Sequence, residues 1–446
     1  KAQKEIMKLF FTPDEELYDK SIEEVFSAEV LDSNFWLYWR TMFAFENWHS
    51  ALEMKIYIRR YVHHVDGLPD FKALRFTKYN QYESMILPLQ KYLEDNGVDI
   101  MTERKVTDVR FSESGGKRIA SAITVEDKDG EHMIPLSEED LLFITPGGCV
   151  ESSTLGSQDR AAVYDPALKA GNGWDLWKRI ASQGDDFGHP EKFCSDPAKT
   201  TWMSATVTLY DDRIVPYIKR ITKRDPYSGK VVTGGIVTAK DSSWLLSWTF
   251  NRQPQFRTQK KNELVGWIYG LFPDNEGDFI KKRMRDCTGK EIAEEWLYHI
   301  GVPEGEIEEL ADSCNTIPCM MPYITAFFMP RRKGDRPLVV PEGAANFAFI
   351  GQFAETERDT IFTTEYSIRT AMEAVYTLMN VERGVPEVWG SVFDVRDLIK
   401  ASVSLRDGKP LTEMELGMKE RIAMKEALKM IQDTDIEKLL MAYGAI

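Results

Sequence analysis

The sequence has 446 residues, 43% of them hydrophobic and 28% charged, which is room for a large core and two or three domains. Its formal net charge of −15, with no dominant basic stripe, argues against nucleic acid as a partner and against non-specific adhesion to anionic membranes. Five scattered cysteines with no histidine beside them at metal-ligand spacing fit a reduced cytosolic compartment, and no apolar run approaches the ~18 residues of a membrane span.

Residues 1–95 read as mostly helical. Thr12 is placed to cap a helix with Pro13 at its first position and acids in its first turn. In "WHSALEMKIYIRRYVHHVDGLPDF", Trp48, Leu52, Ile56, Ile58, Val62 and Val65 recur at helical spacing, and Gly67 and Pro69 form a stop. Tyr57 lies in the middle of that run, one turn from Met54 and Tyr61. By itself this reads as a core tyrosine. "YESMILPLQKYLEDNGV" is an amphipathic helix ended by Gly97.

The period then changes. "VDIMTERKVTDVRFS" and "RIASAITVED" alternate as strands, and "LLFITPGG" is an apolar run into a glycine turn. Strands are also expected in "TTWMSATVTLY", "GGIVTA" and "SWLLSWTF", and a helix over "GDFIKKRMRDCTGKEIAEEWLYHIG". "NFAFIGQFAE" is a buried strand ending at Gly351, followed by the helix "TTEYSIRTAMEAVYTLMNV". Beyond 386 the tail is helical, with Met414, Met418, Ile422, Leu428, Ile431, Leu439 and Leu440 on a charged background.

Three stretches carry possible chemistry. The strand–loop–helix around Gly351 aims a helix amino end at whatever lies past the strand, an arrangement that receives phosphate; a plain βα unit reads the same way. In "SWTFNRQPQF", Thr249, Asn251, Gln253 and Gln255 fall on one face of an extended chain, a neutral row able to hold a carboxylate or simply a solvated strand end. "MPRRKGDRP" brings Arg331, Arg332, Lys333 and Arg336 together, as a surface turn or an anion site. There is no GxGxxG, no P-loop and no Gly-x-Ser-x-Gly, so nucleotide hydrolysis and serine-hydrolase chemistry lack support, and no metal site is expected.

"NFWLYWRTMFAFENWHSALEM", "HHVDGLPDF", "KYNQYES", "NRQPQF", "IPCMMPYITAFFMPRR" and "FAFIGQFAETERDTIFTTEYSIRTAMEAVY" together resemble the oleate hydratases, the FAD-containing fatty acid double-bond hydratases also called myosin-cross-reactive antigens. The likeness runs along essentially the whole chain. It implies an α/β (α+β) flavoprotein of the two-dinucleotide-binding kind. Its parts would be a helical channel region at 1–72, the return part of the FAD-binding domain at 73–170, a mixed-sheet substrate domain at 171–325, the rest of the FAD domain at 326–385 and a helical lid at 386–446.

The resemblance implies addition of water to the cis-9 double bond of oleate, giving 10-hydroxystearate, with linoleate as a related substrate. Tyr57 matches the tyrosine that protonates the alkene. Thr249, Asn251 and Gln255 match the carboxylate-binding cluster, with glutamine at 255 where histidine is usual. FAD contacts are expected at Gly147, Gly148, Glu151 and Ser152, and at Gly351, Gln352, Thr360, Phe362, Thr363 and Thr364. A homodimer is also implied, in the cytoplasm, and peripheral membrane contact through the C-terminal helices is a further expectation. The chain opens on lysine within a helical stretch. Relative to the family it is expected to lack the first βαβ unit and a glutamate-bearing loop that activates water. Another lipid-acting flavoprotein, such as an isomerase or oxidoreductase, and a non-catalytic lipid-binding protein remain as alternatives.

Overall fold

The computed structural model describes residues 2–65, 67, 75–163, 172–357, 359–361, 364–388, 390–414 and 416–446. Among the described residues, helices and three separate sheets alternate along the chain, a mixed α/β architecture. β1 (Lys105–Ser114), β2 (Lys117–Asp127) and β3 (Gly130–Pro135) form an antiparallel meander. β4 (Leu142–Ile144) and β11 (Phe347–Phe349) pair in parallel, Phe349 opposite Ile144. The largest sheet holds β5 (Thr154–Leu155), β6 (Trp202–Leu209), β7 (Val237–Thr238), β8 (Ser247–Thr249), β9 (Leu264–Gly270) and β10 (Cys314–Met321). Its order is β5-β10-β6-β9-β8-β7, antiparallel throughout.

The helices Gly289–His299 and Glu304–Asp312 cover one face of this sheet and bury Trp296, Leu297, Ile307 and Leu310 against Trp248, Phe250 and Ile268. Fully burying side chains of this size contributes roughly 1.5–3 kcal/mol each. Phe250 lies directly over Gly266, where an added Cβ would come within 2.4 Å of the ring. Glycine there lets the aromatic ring seat on β9 and fixes the end of β8. A second core joins the helices Asn34–Phe43 and Ala51–Tyr61 through Trp36, Trp39, Phe43, Phe45 and Tyr57. Ile236 packs against this helical core and also against a small cluster on the sheet containing Trp202 and Tyr269.

Several elements differ from their sequence expectations. Thr12 follows the Ala2–Phe11 helix, and its hydroxyl donates to Lys8 O at 3.1 Å, so it closes a helix rather than opening one. The helix expected from Trp48 begins at Ala51, because Ser50 Oγ accepts from Glu53 N at 3.3 Å and caps it. It tightens into a 3-10 turn at Val62–His64; Pro69 and Phe71 lie outside the described residues. The helix expected from Gly277 begins at Gly289, capped by Thr288 with Glu291 reaching back. Residues 278–280 are bends whose three successive backbone N–H groups go to the Glu295 carboxylate at 2.7–3.0 Å, and the left-handed φ of 53° at Lys281 stops a helix from running on from them. "GGIVTA" yields only the two-residue β7.

The helix expected from Tyr82 opens as a π-helical turn at Tyr82–Ile86 and continues as the α-helix Leu87–Asp95, where Leu89 and Tyr92 remain more than half exposed and no residue is buried. Among the described residues no helix is long and apolar enough to cross a membrane.

Candidate active site

Tyr57 occupies the inward face of the Ala51–Tyr61 helix and is fully buried. Phe43, Phe45 and Phe328 surround its ring with centroids 5.1–5.4 Å away, all close to edge-on. Edge-to-face aromatic contacts hold the ring plane in place. Burial raises the Tyr57 phenol well above its ordinary pKa, and the Glu53 charge and Tyr61 add to the effect, while Arg336 acts against it. The group therefore holds its proton at every physiological pH.

Glu53 lies one turn earlier and is also buried. Its Oε1 accepts from Arg331 Nε at 2.7 Å and from Arg336 Nη2 at 2.9 Å. Burial pushes the Glu53 carboxyl up, but the two guanidinium groups outweigh it, and the net shift is downward. Arg331 continues to Glu355 through two nitrogens, at 2.9 and 3.2 Å. The basic turn thus divides: Arg331 and Arg336 are 1% and 3% exposed and serve this internal network, while Arg332 and Lys333 face outward. The chain's only hint of this in sequence is the i, i+4 spacing of Glu53 and Tyr57; neither arginine partner is local.

Two further groups were not foreseen. The Glu46 carboxyl is pushed up to about 7, chiefly by burial, with Trp48, Arg40 and Lys199 pulling the other way. His49 accepts the Glu46 backbone N–H on Nδ1 at 2.8 Å, which assigns the ring proton to Nε2, and burial holds it neutral.

The neutral row at 249–255 is not one strand face. β8 ends at Thr249, and the chain turns at a cis Gln253–Pro254 bond. Thr249 is buried, with its Oγ1 2.8 Å from Thr233 Oγ1. The Asn251 side-chain oxygen is buried and has no hydrogen-bond partner among the described residues. Gln253 faces inward instead: its amide donates to Asn251 O and Val265 O and accepts from Val265 N and Gln259 Nε2, all at 2.7–3.0 Å. Gln255 is anchored by its backbone, N to Gln259 Oε1 and O to both nitrogens of Asn80. The "KYN" motif therefore braces the "NRQPQF" motif.

β4 and β11 run in parallel, and both continue into turns with a left-handed glycine, Gly147 at φ 62° and Gly351 at φ 86°. A side chain at 351 would meet Thr145 at 3.0 Å. The two turns touch where Cys149 N donates to Gln352 Oε1 at 3.5 Å. Glu151 Oε1 accepts from Gly173 N at 2.8 Å, Gly148 lies against the Glu151 side chain, and Ser152 has a left-handed φ of 57°. Ligands of α/β sheets commonly bind beyond the carboxyl ends of parallel strands, which is where these two turns lie. Thr364 begins the Thr364–Leu378 helix, and Thr360 is buried beside Asp359. Phe362 and Thr363 lie outside the described residues. Nearby, a cleft of about 760 Å³ is lined by Leu52, Ile56, Arg60, Lys333, Glu355 and Asp359, among others.

Asp278, Glu295 and His299 stand close enough to hold a metal. The oxygens of Glu295 already accept three backbone N–H groups, and Asp278 accepts both N and Oγ of Ser243. That makes the group a clasp between a loop and a helix.

The family model described as "MCRA family" matches residues 1–376. The chain belongs to the MCRA family. It is 51% identical over 444 residues to a protein named oleate hydratase from Streptococcus pyogenes serotype M49 (strain NZ131), covering 99% of this chain and 75% of that one. It is 32% identical over 396 residues to a linoleate hydratase from Lactiplantibacillus plantarum, covering 84% of this chain and 69% of that one. Across the MCRA match lie both Tyr57 and the Thr249–Gln255 loop.

Proposed function

We propose that this chain is a fatty acid hydratase, a hydro-lyase that adds water across the cis-9 double bond of oleate or linoleate. The likeness to an oleate hydratase over 99% of this chain carries this reading. Linoleate is the second substrate because the second relative bears that name.

An isolated alkene is a very weak base. Water adds to it only when a proton donor is held against one carbon while a water molecule meets the other, away from bulk solvent. Tyr57 is our candidate donor. Its hydroxyl proton goes to C9, the water oxygen bonds to C10, a base takes the proton that water sheds, and the phenol is then reprotonated, leaving 10-hydroxystearate. The closed aromatic surround supports this assignment by excluding water. The raised phenol pKa keeps the proton in place until an alkene is seated. Arg336 is the charge on hand to ease formation of the phenolate.

We place the substrate carboxylate at Thr249 and Asn251, with Gln255 beside them. Neutral donors there can bind the anion without a buried permanent cation. FAD is the cofactor we assign to the turns after β4 and β11, in a two-dinucleotide-binding flavoprotein fold. It would be held by Gly147, Gly148, Glu151 and Ser152 on one side and Gly351, Gln352, Thr360 and Thr364 on the other. A bound flavin supplies a rigid wall that shapes the site, with no net redox change in a hydration. We also expect a homodimer in the cytoplasm, touching the membrane surface through its C-terminal helices.

The test is to incubate the intact protein with oleate and FAD in H₂¹⁸O and follow the product by mass spectrometry. One ¹⁸O in 10-hydroxystearate, with no oxygen consumption, is the expected result. Stoichiometric consumption of oxygen or of an electron acceptor would instead make the protein a lipid oxidoreductase.

A further inference from the structure

Residues 232–233 run alongside the end of β8. The backbone oxygen of Phe250 accepts from Val232 N and from Thr233 N, each at 3.2 Å. Both lone pairs of that oxygen are then engaged. The Thr233 hydroxyl is 3.4 Å from the same oxygen but only 2.8 Å from Thr249 Oγ1. A hydroxyl has one proton to give, and the shorter contact to an oxygen with free lone pairs is the better bond. Thr233 therefore donates to Thr249. The Thr249 proton cannot go back to Thr233 along the same line. Among the described residues Thr249 Oγ1 has no other hydrogen-bond partner, although the residue is 5% exposed. Two residues on, the Asn251 side-chain oxygen is also buried without a partner among the described residues. The amide's oxygen and nitrogen positions are interchangeable by a flip, so it too can present N–H groups.

We propose that Thr233 is a positioning residue of the carboxylate site: by donating to Thr249 Oγ1 it turns the Thr249 proton toward the fatty acid headgroup. This rests on the placement of the carboxylate at Thr249 and Asn251. Thr233 does not touch the substrate. It removes the rotamer of the Thr249 hydroxyl in which two oxygens, one of them anionic, would face each other across the site. Polar groups set in advance toward an anion bind it without reorganising when it arrives.

The experiment compares Thr233→Val, Thr233→Ser and Asn251→Ala in the intact, FAD-loaded protein, each assayed on oleate and on oleyl alcohol, which lacks the charge. Valine keeps the shape of threonine and removes only the oxygen. Thr233→Val should raise KM for oleate roughly three- to tenfold, the worth of one hydrogen bond's orientation. It should leave kcat within about twofold, and KM for oleyl alcohol unchanged. Thr233→Ser should behave as the parent. If Thr233→Val leaves the oleate KM unaltered while Asn251→Ala raises it selectively, the carboxylate site stands and the role of Thr233 is overturned. If neither variant distinguishes oleate from oleyl alcohol, the carboxylate placement itself fails. If Thr233→Val is damaged on both substrates alike, the position is structural and the proposal is overturned; if it unfolds, Thr233→Ser decides. A serine variant showing the same damage makes the position structural and overturns the proposal. A serine variant with parental KM on both substrates supports it.

Discussion

Glu53 and Tyr57 stand one helical turn apart on the same buried face, and the charge of the first bears directly on the proton of the second. The carboxylate is tolerable there only because Arg331 and Arg336 both donate to its Oε1. Removing one member of such a buried set leaves the others uncompensated, typically at about 3–5 kcal/mol. Glu53→Ala should therefore lower stability by about that amount in urea unfolding, with a matching fall in melting temperature. A loss below ~1 kcal/mol would mean the arginines find other partners.

Tyr57→Phe changes one atom in a cage of rings. The core packing survives, so the melting temperature should stay within a few degrees. The loss of a general acid should reduce kcat on oleate by about 10²–10⁴. Product formation within a few-fold of the parent would remove Tyr57 from the chemistry.

Gln253 holds the loop after β8 together. Its amide satisfies the backbone of Val265 in both directions and engages Asn251 O and Gln259. Gln253→Ala strands buried groups at about 1–3 kcal/mol each. We expect lower stability by chemical denaturation together with a raised KM for oleate, since the loop bearing Asn251 loses its anchor.

Glu46 gives stability a dependence on pH. Its folded-state pKa is about 7, raised from 4.5 chiefly by burial. Between these values the folded chain binds the proton more tightly than the unfolded one, so this group's contribution falls as pH rises from about 4.5 to 7 and then levels off. The full effect is at most about 3 kcal/mol. Glu46→Gln should remove that slope, gaining on the parent at pH 8 and matching it near pH 4.5. Parallel stability–pH curves for the two proteins would show that the carboxyl titrates normally.

Gly351 carries a test of the flavin placement. At φ 86°, with Thr145 3.0 Å from a would-be Cβ, alanine is both strained and crowded. Gly351→Ala should lower flavin retention, read as the ratio of absorbance at 450 nm to that at 280 nm after gel filtration. Retention equal to the parent, in a folded variant, would move the cofactor away from this turn.

Much of this was legible along the chain because it depends on neighbours in sequence. Period-2 alternation found β1, β2 and β6, and helical spacing with its Gly97 and Gly301 stops found the helices around Tyr57, Leu89 and Trp296. The motifs alone pointed to Tyr57 and the Thr249–Gln255 loop, because such stretches keep their residues together wherever the rest of the chain goes. What tertiary structure decided is which polar groups find partners. Glu295 gathered the backbone N–H groups of 278–280, because a buried carboxylate must be satisfied from somewhere, and Lys281 took a left-handed φ of 53° that ends the helix local pattern favoured. Arg331 and Arg336 turned inward while Arg332 and Lys333 stayed out, because Glu53, some 280 positions away in sequence, needed them. The row at 249–255 broke for a similar reason: the Gln253 amide was required by the backbone of Val265, so Gln253 no longer shares a face with Thr249 and Asn251. Sequence pattern reports local periodicity, whereas desolvation and charge balance are settled only by which distant residues share a buried space.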